Sequence, residues 1–523
     1  MSPRNIVVCA DGTGNKGGYS PDSNVYTVYK SVANKFSGVC KDGVDVDKQL
    51  VFYDNGVGTS TNKYLRAITG GVGFGFKKNI CDAYKFLARN YREGDRVFFF
   101  GFSRGASTIR ACNGMISKCG LANGHNLRNA ELDDLVAEAY EAYQNHKKKP
   151  DIAKDFKNNP EKSLGAVPIK FLGVWDTVVA LGFPKRTVIS GPFTLFLNIT
   201  FGILEPVFDK IFKHSFYYYK LTDNVKHACQ ALAIDDERTA FWPHVWQEKN
   251  IEGAKDRTNE NVEQVWFAGM HSNVGGGYER SGISGVPLYW MMTRAQHHGL
   301  VFKPGAMQRA FSSSHVHGTM YDSRAGLNMI YRYLPRDIEA RCKDRMLDDR
   351  IKIHHSVIER INYRTENYKP NHIPVDFDVV DNEMPANRQR LDLSVSTAWK
   401  AASDKINTIV KFRQVMYDLS MTFLLSAIIY TVYFWQTSPG NLKYDGALMN
   451  FAVKLDSYLP DMFKGLFEFI IVQNTAVLIA VTIFLVLFII TRITNKLTDS
   501  VSEDLRHEIV GKKMKDVKQV YTE

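Results

Sequence analysis

Residues 101–105 read Gly-Phe-Ser-Arg-Gly, directly after the apolar run VFFF and directly before a stretch of helical spacing, Ala106 to Cys119, that Gly120 ends. A serine at such a strand-to-helix turn exposes its hydroxyl above the sheet. The residues two before and two after it must then be small to avoid clashes. The position also puts Ser103 at a helix N-terminus, where backbone N–H groups favour developing negative charge. These are the features of a nucleophile. A serine hydroxyl is nonetheless a poor one until a base takes its proton, and that base needs an orienting acid.

Two later strand candidates end in suitable partners. Ile169–Trp175 runs into Asp176-Thr177, and Gln264–Ala268 leads to Met270-His271-Ser272-Asn273 and then Gly275-Gly276-Gly277. Both side chains fall at carboxyl ends of strands, where the crevice of an open α/β sheet lies. Fourteen histidines compete for the role of base. His227, His244 and the pair His297-His298 sit in or beside helical or loop sequence. The pairs His315/His317 and His354/His355 lack the accompanying ligands of a metal site, so position selects His271.

An oxyanion needs two donors. The N–H of Arg104 is one, and the loop Asp11-Gly12-Thr13-Gly14-Asn15 after the first strand offers Gly12 or Thr13 as the other. That loop also excludes two rivals. A haloacid-dehalogenase phosphatase would need aspartate where Cys9 stands, and a GxxxxGK[ST] phosphate loop is absent. The Gly70–Gly75 run has no strand leading into it, as a dinucleotide site requires. The chemistry calls for no metal and no organic cofactor.

The elements that must hold these groups follow from periodicity. Short apolar runs alternate with helix-period stretches from residue 5 to about 300, the pattern of a mostly parallel α/β sheet. The strand candidates are Ile6–Ala10, Gln49–Tyr53, Arg96–Phe100, Ile169–Trp175 and Gln264–Ala268, with a helix over Lys77–Tyr91. Residues 126–165 read as a charged, solvated helical insertion. Residues 187–219 are apolar but broken by Gly191, Pro192, Gly202 and Pro206, which fits a cap or lid over an acyl chain or a buried helical pair over the core. Residues 301–414 form a helical and mixed extension without a usable motif.

The chain has 523 residues, a formal net charge of +11 and 45% apolar content, which excludes a disordered or fibrous protein. Seven scattered cysteines, none in a CxxC pair, read as reduced thiols in a cytosolic setting. No signal peptide fits the N-terminus. Leu419–Trp435 and Phe469–Ile490 approach or exceed the roughly 20 residues that cross a bilayer as helix, which predicts a transmembrane helical hairpin over 415–491. Lys400, Lys405, Lys411 and Arg413 precede it, and Arg492, Lys496 and the lysines of the 492–523 tail follow. This asymmetry places the catalytic domain, residues 1–300, and both termini in the cytoplasm at the inner membrane. The lipid bilayer is then a partner through the hairpin, homo-oligomerisation is left open, and no nucleic-acid motif accompanies the basic charge.

The blocks VVCADGTGN, SNVYTVY, DNGVGT, GFSRGASTIR, FLGVWDTVVALG, ALAIDDERTAFWP and VWFAGMHSNVGGGY occur in this order over about 280 residues. In them the chain resembles the bacterial and fungal α/β-hydrolase family that includes type VI secretion phospholipase effectors. The resemblance puts the family's nucleophile on Ser103, its acid on Asp176 and its base on His271, and implies hydrolysis of phospholipid acyl esters by a phospholipase A-like serine hydrolase. Asp11 and Asn273 are further site candidates; the family commonly has aspartate where Asn273 stands. The alternatives are an esterase or lipase on another acyl ester, and a non-enzymatic membrane-anchored assembly module.

Overall fold

The computed structural model describes residues 2–15, 17–18, 21–56, 75–178, 217–238, 241–248, 261–322, 335–343, 345–346, 350–368, 370, 373–392, 397–437 and 482–490, with a few single positions up to 501. The described residues fall into two compact units, one drawn from 1–184 and 207–400 and the other chiefly from 401–504.

The first unit is an α/β fold. Its strands in chain order are β1 (Asn5–Ala10), β2 (Gly38–Val39), β3 (Asp45–Val46), β4 (Gln49–Asp54), β5 (Arg96–Phe102), β6 (Ile169–Trp175), β7 (Val225–Ala233), β8 (Val262–Phe267), β9 (Ile351–His354), β10 (Asp376–Val380) and β11 (Arg388–Asp392). Strands β2 and β3 form a small ribbon. The other nine make one sheet in the order β11-β10-β9-β8-β7-β6-β5-β1-β4. Every pairing in it is parallel except β10 with β11, which closes one edge.

The central strands are apolar without alternation because helices cover both faces. Along β1, Ile6, Val8 and Ala10 join the core under the helices Phe76–Asn90, Arg104–Cys119 and Asn129–Asn145, while Val7 and Cys9 join the core under Asn24–Ser31 and Gly282–His297. Strand β5 divides the same way, with Val97 and Phe99 on one side and Phe98, Phe100 and Phe102 on the other. Each such aromatic contributes about 1.5–3 kcal/mol by leaving water.

The five strands expected from the sequence form, with ends moved by a residue or two. Strand β7 was not expected, and it inserts between β6 and β8 in both chain and sheet. Its sequence VKHACQALA is alanine-rich and poor in β-branched residues, so propensity does not signal a strand; burial on both faces decides it. The 126–165 insertion contains the helices Asn129–Asn145 and Pro150–Asn158. It is not solvated all round, since Leu132, Val136, Tyr140 and Tyr143 enter the main core. Residues 301–414 contribute β9 to β11 to the sheet. Of the 187–219 cap or lid, only 217–219 lie within the described residues.

The expected transmembrane hairpin finds no support. Residues 419–435 lie within the helix Thr397–Thr437, which begins well before the apolar run and carries Lys400, Asp404, Lys405, Lys411, Arg413 and Asp418. Of 469–490, only 482–490 are described, as helix. Among the described residues no helix is long and apolar enough to cross a membrane.

Candidate active site

Ser103 stands between β5 and the helix Arg104–Cys119 with φ 56° and ψ −122°. Such left-handed backbone costs a non-glycine residue about 1–3 kcal/mol and persists only where the surroundings impose it. Here they do. The Ser103 amide donates to the Trp175 carbonyl at 3.1 Å, and Val178 N–H donates to the Ser103 carbonyl. A Cβ on Gly101 would lie 2.6 Å from Ala106 Cα, and one on Gly105 would lie 2.2 Å from the Ala10 carbonyl oxygen. Glycine at both positions is therefore a steric requirement.

Asp176 follows β6 and also has positive φ, at 35°. His271 opens the short helix His271–Gly275 beyond β8. The topology brings the three side chains together: His271 Nε2 lies 2.7 Å from Ser103 Oγ, and His271 Nδ1 lies 2.7 Å from Asp176 Oδ2. All three are buried. Phe102 packs tilted against the imidazole and Phe241 meets it edge-on, with centroids 4.6 and 5.2 Å away. This chain of hydrogen bonds can move a proton from the serine hydroxyl to the imidazole while the carboxylate steadies the ring.

Burial works to raise the Asp176 pKa, but the Arg336 guanidinium and the His271 hydrogen bond outweigh it and hold the carboxyl well below its usual range. Arg336 Nη1 and Nη2 lie 2.8 and 3.0 Å from Oδ1 and Oδ2. The Ala233 amide, at the end of β7, also donates to Oδ1. Just after β7, Asp236 accepts the His271 backbone amide at 3.1 Å and pairs with Arg238. Burial favours its neutral form, yet the Arg238 hydrogen bonds keep it below the ordinary carboxylate range.

The other expected site residues have definite places. Arg104 opens the helix after Ser103. Asp11 organises its loop, accepting from Gly12 N at 2.6 Å, Ser23 Oγ at 2.5 Å, Tyr53 OH at 2.6 Å and Asn15 Nδ2 at 3.1 Å. Burial raises the Asp11 pKa despite those donors. The Gly12 amide, expected as an oxyanion donor, thus donates to its neighbour's carboxylate in this structure. Thr13 keeps a buried hydroxyl with no hydrogen-bond partner among the described residues. Asn273 accepts the Met270 amide at 3.3 Å, at the start of the His271 helix.

The first loop and the histidine segment are tied together. Ser23 caps the helix Asn24–Ser31, and Asn24 Nδ2 donates to the Val274 carbonyl at 2.8 Å. A Cβ on Gly275 would fall 1.9 Å from the Phe102 ring. Separate sequence blocks therefore converge on one site. Arg336 and Asp236 were not expected as site residues. Asp236 lies within the block ALAIDDERTAFWP, whereas nothing around Arg336 marks it.

A profile of the family described as type VI secretion phospholipase effector Tle1-like, catalytic domain, matches residues 4–294. The uncharacterized Saccharomyces cerevisiae protein YEL023C is 28% identical over 203 residues, covering 35% of this chain and 27% of the yeast protein. An uncharacterized Pseudomonas aeruginosa protein of known structure aligns with TM-score 0.35 and 15% identity over 63% of this chain and 50% of its own. The structure of the Tle1 effector bound to the VgrG spike of the type VI secretion system aligns with TM-score 0.27 and 16% identity, over 55% of this chain and 53% of its own. The aligned part spans about a quarter of the yeast relative and about half of each solved chain.

Proposed function

This chain belongs to the type VI secretion Tle1-like phospholipase effector family through its catalytic domain, and we propose that it is a serine hydrolase of phospholipid acyl esters. Two contacts carry the reading: the 2.7 Å hydrogen bonds that join Ser103 to His271 and His271 to Asp176, with the serine on a strained turn. In the first step the Ser103 hydroxyl gives its proton to His271 Nε2 as Oγ bonds to the ester carbonyl carbon. The carbonyl oxygen takes up negative charge between the Arg104 amide and, in this proposal, the Thr13 amide. Collapse of the tetrahedral intermediate breaks the bond to the leaving alcohol, which takes the proton back from His271. Water then repeats the sequence on the acyl-enzyme and releases a fatty acid. Asp176 stays ionised throughout and holds the imidazole in its productive tautomer.

The substrate class rests on the family, whose members are described as phospholipase effectors, and its place of presentation is a membrane surface. The test is lipid mass spectrometry on phospholipid vesicles treated with the purified protein beside its Ser103→Ala variant. Fatty acid and lysophospholipid released by the wild type alone is the expected result. Equal release by the folded variant would remove Ser103 as nucleophile. No release by either protein, with short soluble esters still cleaved by the wild type, would replace phospholipid with another acyl ester.

A further inference from the structure

Arg336 is fully buried, and all five of its N–H groups are used. Nε donates to the Asp236 carbonyl at 2.8 Å, Nη1 to the Ala233 carbonyl and Asp176 Oδ1, and Nη2 to the Phe241 carbonyl and Asp176 Oδ2. It lies beyond residue 294, where the match to the family's catalytic domain ends. We propose that Arg336 is a positioning residue for the hydrolysis: it fixes the Asp176 carboxylate in its ionised form and aims Oδ2 at His271, so the reaction depends on chain outside the family-matched domain. This inference rests on the reading of Ser103, His271 and Asp176 given above.

The geometry explains the role. Oδ1 accepts from the Ala233 amide and Arg336 Nη1, while Oδ2 accepts from Arg336 Nη2 and His271 Nδ1. Four donors leave the carboxylate no freedom to rotate about its Cβ–Cγ bond. A buried carboxylate without a counter-charge would take a proton instead. Sharing Oδ2 with a guanidinium also weakens it as a proton acceptor, so the proton taken from serine stays on the imidazole. Among the described residues, the charged groups beside the pair include Asp236, on the His271 backbone amide, its partner Arg238, and Arg341, whose positive charge faces that of Arg336.

Lysine and methionine at 336 separate charge from geometry. Arg336→Lys keeps the positive charge, but a lysine's three donors cannot serve five acceptors in this fork. It should lower kcat on the order of 10- to 100-fold with little change in KM, and its acid limb should stay near that of the wild type. Arg336→Met removes the charge. Removal of a positive charge raises proton affinity beside it, so the acid-side loss of activity should set in at a higher pH than in the wild type, with the acid limb of kcat/KM moved up by about 1–3 pH units.

Kinetics on a short-chain soluble ester across pH 4–9 would read both variants beside Ser103→Ala, with circular dichroism confirming the fold. A lowered kcat in the lysine variant and a shifted acid limb in the methionine variant are expected. Wild-type kcat in the folded lysine variant, or a methionine variant whose acid limb overlies that of the wild type, would overturn the proposal. Should the methionine variant not fold, the lysine variant's kcat decides alone. Activity surviving in Ser103→Ala would instead defeat the underlying mechanism. An inactive Ser103→Ala beside unaffected Arg336 variants would defeat only the role of Arg336.

Discussion

At Ser103 the backbone strain and the proposed chemistry have the same origin. The turn that costs about 1–3 kcal/mol is what lifts Oγ to 2.7 Å from His271 Nε2, and close packing around two glycines holds it there. Gly105 is the tighter constraint, because an added Cβ would meet the backbone oxygens of Ala10 and Asp11 at 2.2 and 2.4 Å. Neither oxygen belongs to a flexible side chain, so relief requires moving the end of β1 or the start of the serine helix. Gly105→Ala should therefore destabilise the fold by about 1–3 kcal/mol, as overpacking does, and lower kcat by displacing Ser103 from His271. Urea unfolding and ester kinetics on the same preparation would check it. A variant with wild-type stability and rate would mean that the turn adjusts more freely than its contacts imply.

The loop after β7 couples several elements. Asp236 holds the His271 amide, and Asp235 Oδ2 accepts Gly269 N at 2.6 Å and Tyr368 OH at 2.9 Å, linking the ends of β7 and β8 to the chain before β10. Burial raises the Asp235 pKa to about 6, against the pull of those hydrogen bonds. An unfolded aspartate titrates near 3.9, so between about pH 4 and 6 the folded protein binds the extra proton. Stability from this group is present below pH 4 and is lost as pH rises to 6. Asp235→Asn, which keeps the acceptor oxygen, should gain on the wild type across that window by up to about 3 kcal/mol. Unfolding midpoints of the two proteins at pH 4, 5, 6 and 7 would show it. A constant difference would place the Asp235 titration outside this range.

Across the first unit, the family-matched segment and the chain after it share one sheet. Buried Arg294 is the clearest tie: it pairs with Glu263 at 3.2 Å, donates to the carbonyls of Asp381 and Asn382 beyond β10, and lies 4.8 Å over the Trp290 ring. Arg294→Met would leave Glu263 without its partner and two carbonyls without donors. Breaking one side of a buried pair costs about 3–5 kcal/mol, and denaturant unfolding should read a loss of that size. A loss under about 1 kcal/mol, the range of an exposed pair, would mean that the two segments are held together by other contacts.

The serine turn, its flanking strand and helix, and the carboxyl-end positions of Asp176 and His271 were legible because each is local: apolar runs, glycine spacing and strand ends are written within a few consecutive residues. Strand β7 was hidden because VKHACQALA becomes a strand only by lying between β6 and β8. The short strands β9 to β11 give too little periodicity to separate from loop. Gly12 looked like a free donor until the fold brought Ser23, Tyr53 and Asn15 round Asp11 and fixed its carboxylate against the Gly12 amide. The apolar stretch at 419–435 suggested a span by composition, yet it is part of a longer helix with charged residues before it. Arg336 left no local trace, because its partner Asp176 is 160 residues away. A buried ion pair is made by chain topology and desolvation, and neither is encoded in the spacing of neighbouring residues.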